Sequence, residues 1–399
     1  MSELRYGVIG LNGIGHYHLR HALRHPDVTV TALVDVDKAL VEKRAGDINA
    51  RAFTDYRAML AANVVDAVSI ATPHHLHAPI GLACLEAGVH IFIEKPFAIR
   101  VSDADAMIAA AQANKCKIAV AYQYRTYQTP QRLKQIIESG ALGNLTRILW
   151  TWLEFRPESY YQRADWRSSY AHAGGGLLMN QVSHDLDLIC WLVGQPIAVS
   201  AMMGNQMHRA PIEDVVCVNM QFASGAFGSF QASINQPRGY SVRQIAGDRG
   251  ILVLQDMQSL TQNVPDDILH GSYADPLAHL NVTLDGHHDQ PAVRWRQHTA
   301  RRQRLIDLPQ RVWRRLRPQP PASGHGALFN DFISAIQTDT EPLVDGASAA
   351  RTVELINAIV LAAIRGKEVT LPLDHQEYDE LFRQLGDGSV AVPRFRGKV

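Results

Sequence analysis

Only four cysteines occur in 399 residues, and no two form a CxxC pair. Cys84, Cys116, Cys190 and Cys217 are too scattered for a disulfide framework, and they read as reduced thiols of a cytosolic protein. An excess of one charge is lacking too. Lys plus Arg and Asp plus Glu stand at 39 each, so overall charge steers the chain toward neither nucleic acid nor an acidic surface. No apolar run reads as a bilayer span. Met1–Tyr6 enters a strand directly, without the basic and apolar regions of a signal peptide. What remains has the composition of an ordinary soluble globular protein, long enough for two domains.

What is present begins with a short apolar strand, Arg5–Ile9, followed by Gly10-Leu11-Asn12-Gly13-Ile14-Gly15 and a helical stretch from His16. A tight glycine turn lets the backbone approach phosphates, and a helix N-terminus favours their charge. Gly10 and Gly15 fit the G-x-G-x-x-G pattern, while Asn12 stands where the middle glycine belongs. A second strand, Val28–Val34, ends in Asp35, where an acid can hold both ribose hydroxyls. That carboxylate would repel a 2′-phosphate, so NAD is expected over NADP.

Strands at Asp66–Ala71, His90–Ile93 and Lys117–Ala121 alternate with helices at Ala78–Ala87 and Ser102–Ala113. That alternation predicts a parallel, doubly wound sheet with ligands beyond the carboxyl ends of its strands. Thr72, Pro73 and the tract His74-His75-Leu76-His77 lie there, as do Glu94, Lys95 and Pro96. His74 and His77 lack the accompanying carboxylate or thiolate of a metal site, and none is expected. Lys95 precedes a proline that fixes its direction, and reads as functional.

Far downstream, Gly174-Gly175-Gly176 leads into a helix predicted to end near Gly194. Asn180, His184 and Asp187 are spaced i, i+4, i+7, so at ~100° per residue they share one face. Val182, Leu186, Ile189 and Val193 gather on the other and would dock against a core. Such a helix can present His184 as an acid/base. Just upstream, Tyr161, Trp166 and Arg167 offer rings for the C–H faces of a sugar and a guanidinium for hydroxyls or carboxylates. A packed aromatic loop is the alternative reading.

With these motifs in order, the chain resembles the glucose–fructose oxidoreductase, inositol dehydrogenase and rhizopine-catabolism (Gfo/Idh/MocA) family. The resemblance runs from about residue 5 to about residue 373. It rests on the glycine turn, Asp35, Ala71-Thr72-Pro73 with His77, Glu94-Lys95-Pro96, and Gly174-Gly-Gly with His184 and Asp187. It implies an α/β chain: an N-terminal Rossmann domain, then an α+β domain whose open, largely antiparallel sheet builds homodimers or homotetramers. It implies oxidation or reduction of secondary carbinols of sugars and cyclic polyols with NAD, Lys95 and His184 belonging to the active site. The cofactor is expected at Gly10, Asn12, Gly13, Ile14, Gly15, Asp35, Thr72, Pro73, His77, Glu94, Lys95 and Gln123. Asn180 departs from the aspartate of several members. It cannot accept a proton, and is left as a hydrogen-bonding partner of substrate or lysine beside Tyr161, Trp166 and Arg167.

Past Tyr124 the pattern changes to strands: Thr146–Phe155, a hairpin of Val215–Phe222 and Gly225–Ser233, and a turn at Gly247–Gly250. Residues 1–124 therefore read as the dinucleotide domain, 125–373 as the substrate and assembly domain, and 374–399 as an extension without an assigned role. Asp345 reads as the N-cap of a long helix through Ile364, stopped by Gly366. Arg294–Arg317 holds nine arginines against Asp307. It is either a basic arm for an anionic ligand, partner or membrane surface, or a solvated helix latched by Trp313. The expected function is an NAD-dependent oxidoreductase of a ring secondary alcohol in the cytoplasm. A sugar-sensing NAD-binding regulator and an NAD-assisted glycosidase are the alternatives.

Overall fold

The computed structural model describes residues 3–162, 165–256, 281–286 and 323–395. The arginine-rich segment 294–317 lies outside them. β1 (Leu4–Ile9), β2 (Val28–Val34), β3 (Arg51–Phe53), β4 (Ala67–Ile70), β5 (His90–Ile93) and β6 (Ile118–Val120) form one sheet in the order β3-β2-β1-β4-β5-β6. Every pairing is parallel. Helices cover both faces, so β4 is buried at every position and reads as a continuous apolar run. The chain runs outward through β2 and β3, then crosses back to β4. The sheet therefore reverses direction between β1 and β4, and a ligand crevice opens beyond their carboxyl ends. β3 escaped the sequence reading because it has three residues and exposes two of them.

The second sheet contains β7 (Leu145–Phe155), β8 (Pro196–Gly204), β9 (Val215–Phe222), β10 (Phe227–Ser233), β11 (Asn235–Gly247), β12 (Gly250–Asp256), β13 (Asn281–Gly286) and β14 (Val369–Thr370). Its order is β13-β12-β11-β7-β10-β9-β8-β14, antiparallel except at β7–β10. The expected hairpin pairs Phe227 with Gln221 through Ser233 with Val215. β9 alternates strictly: Val216, Val218, Met220 and Phe222 are buried while Cys217, Asn219 and Gln221 are exposed. One face is thus covered and the other left open.

The carboxyl-terminal third returns to the first sheet. Val120 N–H donates to Val344 O, and Ala119 bridges Asp345. Asp345 caps the Gly346–Arg365 helix, and Gly366 ends it at φ +63°. That helix is long and apolar enough to cross a membrane by length and composition, with mean hydropathy 1.5, contrary to the expectation that no apolar run is long enough. It packs instead between β8, the Val101–Ala113 helix and the Ser183–Leu192 helix, which accounts for its apolar character. The tail also joins the body. His375–Asp387 is a helix that buries Tyr378 and Leu381, and Asn205 exchanges backbone hydrogen bonds with Pro393 and Phe395.

The catalytic-helix expectation needs correcting. A short helix, Leu177–Asn180, precedes a separate one, Ser183–Leu192, so Asn180 and His184 are not on one continuous helix. Nor is the second helix amphipathic: every residue from Ser183 to Cys190 is buried, because it is sandwiched between layers. Asp187 does not face the crevice with His184. It is fully buried and engaged by Arg125 and Thr352.

Candidate active site

The glycine turn delivers what a dinucleotide needs. Gly10 and Gly13 take the left-handed backbone, at φ +87° and +54°, while Asn12 does not, so the departure from the fingerprint strains nothing. A Cβ on Gly15 would fall 1.9 Å from Gly10 O, whereas one on Gly13 would enter open space. Asp35 braces the turn by accepting from Leu11 N at 2.8 Å and Asp37 N at 3.0 Å. Its carboxylate keeps further acceptor capacity toward the crevice. Thr72 Oγ1 and Gln123 Oε1 are buried without a partner among the described residues. These vacancies at the carboxyl ends of β4 and β6 fit a nicotinamide dinucleotide.

His77 ties the two rim loops together, its ring nitrogens 2.7 Å from Pro96 O and 2.9 Å from Thr72 O. Glu94 is less free than the resemblance implies. Its Oε1 meets His18 Nε2 at 2.9 Å and His325 Nε2 at 3.1 Å, and its Oε2 accepts from Lys95 N. His18 Nδ1 continues to Ser69 Oγ, which meets the Tyr6 hydroxyl. The ligand atoms of His18, Glu94 and His325 lie within 4.8 Å of one another, a candidate metal set absent from the sequence reading. The same atoms serve one another as hydrogen-bond partners, so the cluster coheres without a cation.

Lys95 and His184 form the reactive corner. Lys95 Nζ donates to the backbone carbonyl of Asn180 at 2.9 Å, so Asn180 is a lysine partner through its main chain. Its side-chain amide reaches back to Gly175 O at 3.4 Å. Burial lowers the Lys95 pKa, the charges of Arg167 and Arg156 lower it further, and Glu94 opposes them. The His184 ring stacks on Tyr124 with centroids 4.3 Å apart, and Tyr122 packs edge-on. Burial holds the His184 pKa well below its ordinary value, and Lys95 adds to the effect. His184 Nδ1 is buried without a partner among the described residues.

Buried ionic groups set this corner. Arg125 Nε donates to Asp187 at 2.9 Å, and Thr352 Oγ1 donates to the same carboxylate. Two residues earlier, Asp185 accepts from Trp150 Nε1 and Arg243 on the second sheet. Glu213 accepts from Gly176 N, Leu178 N and the Tyr170 hydroxyl, fixing the glycine run that carries Asn180. On the flank, Trp166 packs against His74, and the Arg167 guanidinium lies over the Trp166 and Tyr160 rings. Tyr161 is instead buried against His208. Tyr122, Tyr124 and Arg125 were missed, although their place just past β6 was the available signal. Arg156 and Glu154, at the end of β7, carried none.

A parallel sheet with a glycine turn at its switch point, and a buried lysine–histidine pair beyond it, define a nucleotide-dependent oxidoreductase. Residues 4–122 match the oxidoreductase family with NAD-binding Rossmann fold, and residues 131–253 match the GFO/IDH/MocA C-terminal domain. The chain belongs to the Gfo/Idh/MocA oxidoreductases, and its cofactor is NAD. It is 28% identical over 289 residues to levoglucosan dehydrogenase of Pseudarthrobacter phenanthrenivorans, covering 63% of this chain and 74% of that one. It is 24% identical to myo-inositol 2-dehydrogenase of Thermotoga maritima, covering 66% and 79%. The fold matches the WlbA dehydrogenase of Bordetella pertussis, solved with NADH and UDP-GlcNAcA. The TM-score is 0.74 at 25% identity, covering 93% of this chain and all of that one (100%).

Proposed function

We propose that the enzyme passes a hydride between nicotinamide and a secondary hydroxyl or ketone of a sugar, glycoside or cyclic polyol. The observation that carries this is His184 Nδ1, buried and bare beside the Lys95 ammonium. Levoglucosan and myo-inositol in the names of two relatives support a ring polyol. NAD, when bound, takes up the hydride. Lys95, held by Asn180 O, donates to the substrate oxygen and stabilises its developing negative charge. His184, neutral at pH 7 because burial depresses its pKa, accepts the hydroxyl proton. Tyr124 fixes the plane of the ring that receives it. Trp166 and Arg167 flank the substrate, and the glycine turn, Asp35, Thr72 and Gln123 hold the cofactor. A regulator that binds without turnover has no use for a bare histidine beside a buried lysine.

The test is absorbance at 340 nm with NAD and a panel of inositols, glycosides and free sugars, beside lactate and ethanol. Turnover of ring polyols above the simple alcohols is expected; efficient lactate or ethanol oxidation with inert sugars would refute the reading. The open face of the second sheet, where Met202, Cys217 and Phe227 are exposed, supports a homodimer or homotetramer, which light scattering in solution would test. Four free cysteines fit a reducing, cytoplasmic compartment.

A further inference from the structure

We infer that Arg156 and Arg167 form a carboxylate-binding corner beside the catalytic pair, so that the preferred substrate is a sugar acid. The inference rests on the dehydrogenase reading only for where the substrate lies. Both guanidinium groups sit over the Tyr160 ring, at 5.7 and 5.6 Å from its centroid. Arg167 also covers Trp166 at 4.7 Å. From Trp166 a line of contacts runs through His74 and His77 to Pro96, the neighbour of Lys95. The two arginines are therefore fixed by aromatic surfaces on the flank of the reactive lysine.

Among the described side chains, Lys95, Arg156 and Arg167 bring three positive charges here, and only Arg156 lies in an ion pair with a carboxylate, Glu154. The charges of Arg167 and Arg156 both reach Lys95 and lower its pKa, each by less than Glu94 raises it. Among the described side chains no carboxylate pairs with Arg167. Arg156 lies 2.7 Å from Glu154, yet Glu154 Oε2 makes no aligned hydrogen bond, and burial raises that carboxyl's pKa. Glu94, the acid whose charge acts on Lys95, is already taken by His18 and His325. Arg156 Nε is buried and without an acceptor among the described residues. The dinucleotide phosphates are met elsewhere, by the glycine turn. A substrate carboxylate would supply the missing charge and accept from guanidinium donors in their preferred forked geometry, which a neutral hydroxyl cannot do.

The test uses the full chain loaded with NADH and titrated calorimetrically with glucuronate, galacturonate, glucose, galactose and glucose 6-phosphate. NAD reduction is measured in parallel. In at least one pair the acid should bind about tenfold or more tightly than its neutral parent, the scale of a charge-assisted hydrogen bond. Arg156→Gln and Arg167→Gln should each collapse that preference, Arg156→Lys should keep part of it, and added salt should weaken acid binding more than neutral binding. Acid and neutral partners binding alike in both pairs, variants shifting both alike, or tightest binding of the phosphate sugar would each overturn the inference. Acid-selective binding without NAD reduction would retain the corner and remove the dehydrogenase reading. Turnover of neutral sugars without acid preference would do the reverse.

Discussion

The two ends of the ligand crevice are built by opposite means. At the cofactor end the parts are backbone and nearly contiguous: two left-handed glycines, a third with no room for a side chain, and Asp35 closing the same turn. At the reactive end the parts are buried polar side chains brought from β5, the segment after β6, the end of β7 and the Ser183–Leu192 helix. A backbone cradle needs only local chain geometry. A buried polar corner needs every group matched by a distant partner, because an unmatched one is costly in low dielectric. The first should therefore tolerate remote mutations that damage the second.

The largest effect tests that division directly. His184→Ala should lower kcat by ~10²–10⁴-fold, the usual worth of a positioned general base, while NADH affinity stays close to wild type. Lys95→Met should also be severely impaired, through loss of oxygen stabilisation. Fluorescence titration with NADH beside steady-state turnover would check both. A His184→Ala enzyme with normal turnover would take proton transfer away from this residue.

Next comes the ion pair beneath the corner. Asp187→Asn leaves Arg125 charged and almost wholly buried without its counterion, a loss of about 3–5 kcal/mol for a broken buried pair. Denaturant unfolding should show that loss. Gly13→Ala at the cofactor end adds a methyl facing open space but forces a left-handed alanine, which should cost roughly 1–2 kcal/mol. If the glycine substitution proved the more damaging, the contrast between the two ends would fail.

The same contrast explains what was readable from sequence. Gly10, Gly15 and Asp35 sit at spacings set by the turn itself, so a pattern in sequence is a pattern in space. Lys95 and His184 were legible because each lies in its own short motif; their juxtaposition came from the family resemblance, not from any local spacing. The helix error has a physical origin. Asn180, His184 and Asp187 obey helical spacing, but the chain breaks at Gln181–Val182, and burial on all sides erases the amphipathic signal. The role of Asp187 depended on Arg125 and Thr352, which no local pattern connects to it. Tail residues Tyr378 and Leu381 belong to the core for a similar reason: their partners are remote.

Acid should act on both ends, by way of buried histidines. Burial lowers the pKa of His74, His77 and His184, and brings that of His21 to about 4. Unfolded histidines titrate near ~6.5, so below that pH the unfolded chain binds more protons and stability falls as pH drops. The contribution is whole above about 6.5 and is lost progressively toward the folded values. His208, raised mainly by its bond to Asp214 against the cost of burial, works in the opposite direction. Denaturation midpoints between pH 7.5 and 5 should decline, and the acid limb of kcat/KM should lie below the ordinary histidine range. A midpoint that rose on acidification would contradict the burial assigned to these rings.

The smallest effect lies on the seam between the ends. Asp345 accepts from Ser348 N at 2.6 Å and starts the helix that packs against the Ser183–Leu192 helix. Removing that cap in Asp345→Ala should cost about 1 kcal/mol, with the backbone bridge to Ala119 left in place. The cap is not isolated, however. Ser348 Oγ accepts from Arg125 at 3.2 Å, and Arg125 holds Asp187, so one chain of contacts joins the helix start to the base of the reactive corner. If that chain behaves as a unit, Asp345→Ala and Asp187→Asn should be non-additive by about 0.5 kcal/mol or more in a double-mutant cycle. NADH affinity should be indifferent to the cap, because the glycine turn shares none of these partners. Strict additivity would mean that Ser348 merely touches Arg125, and that the reactive corner is fixed from the Asp187 side alone.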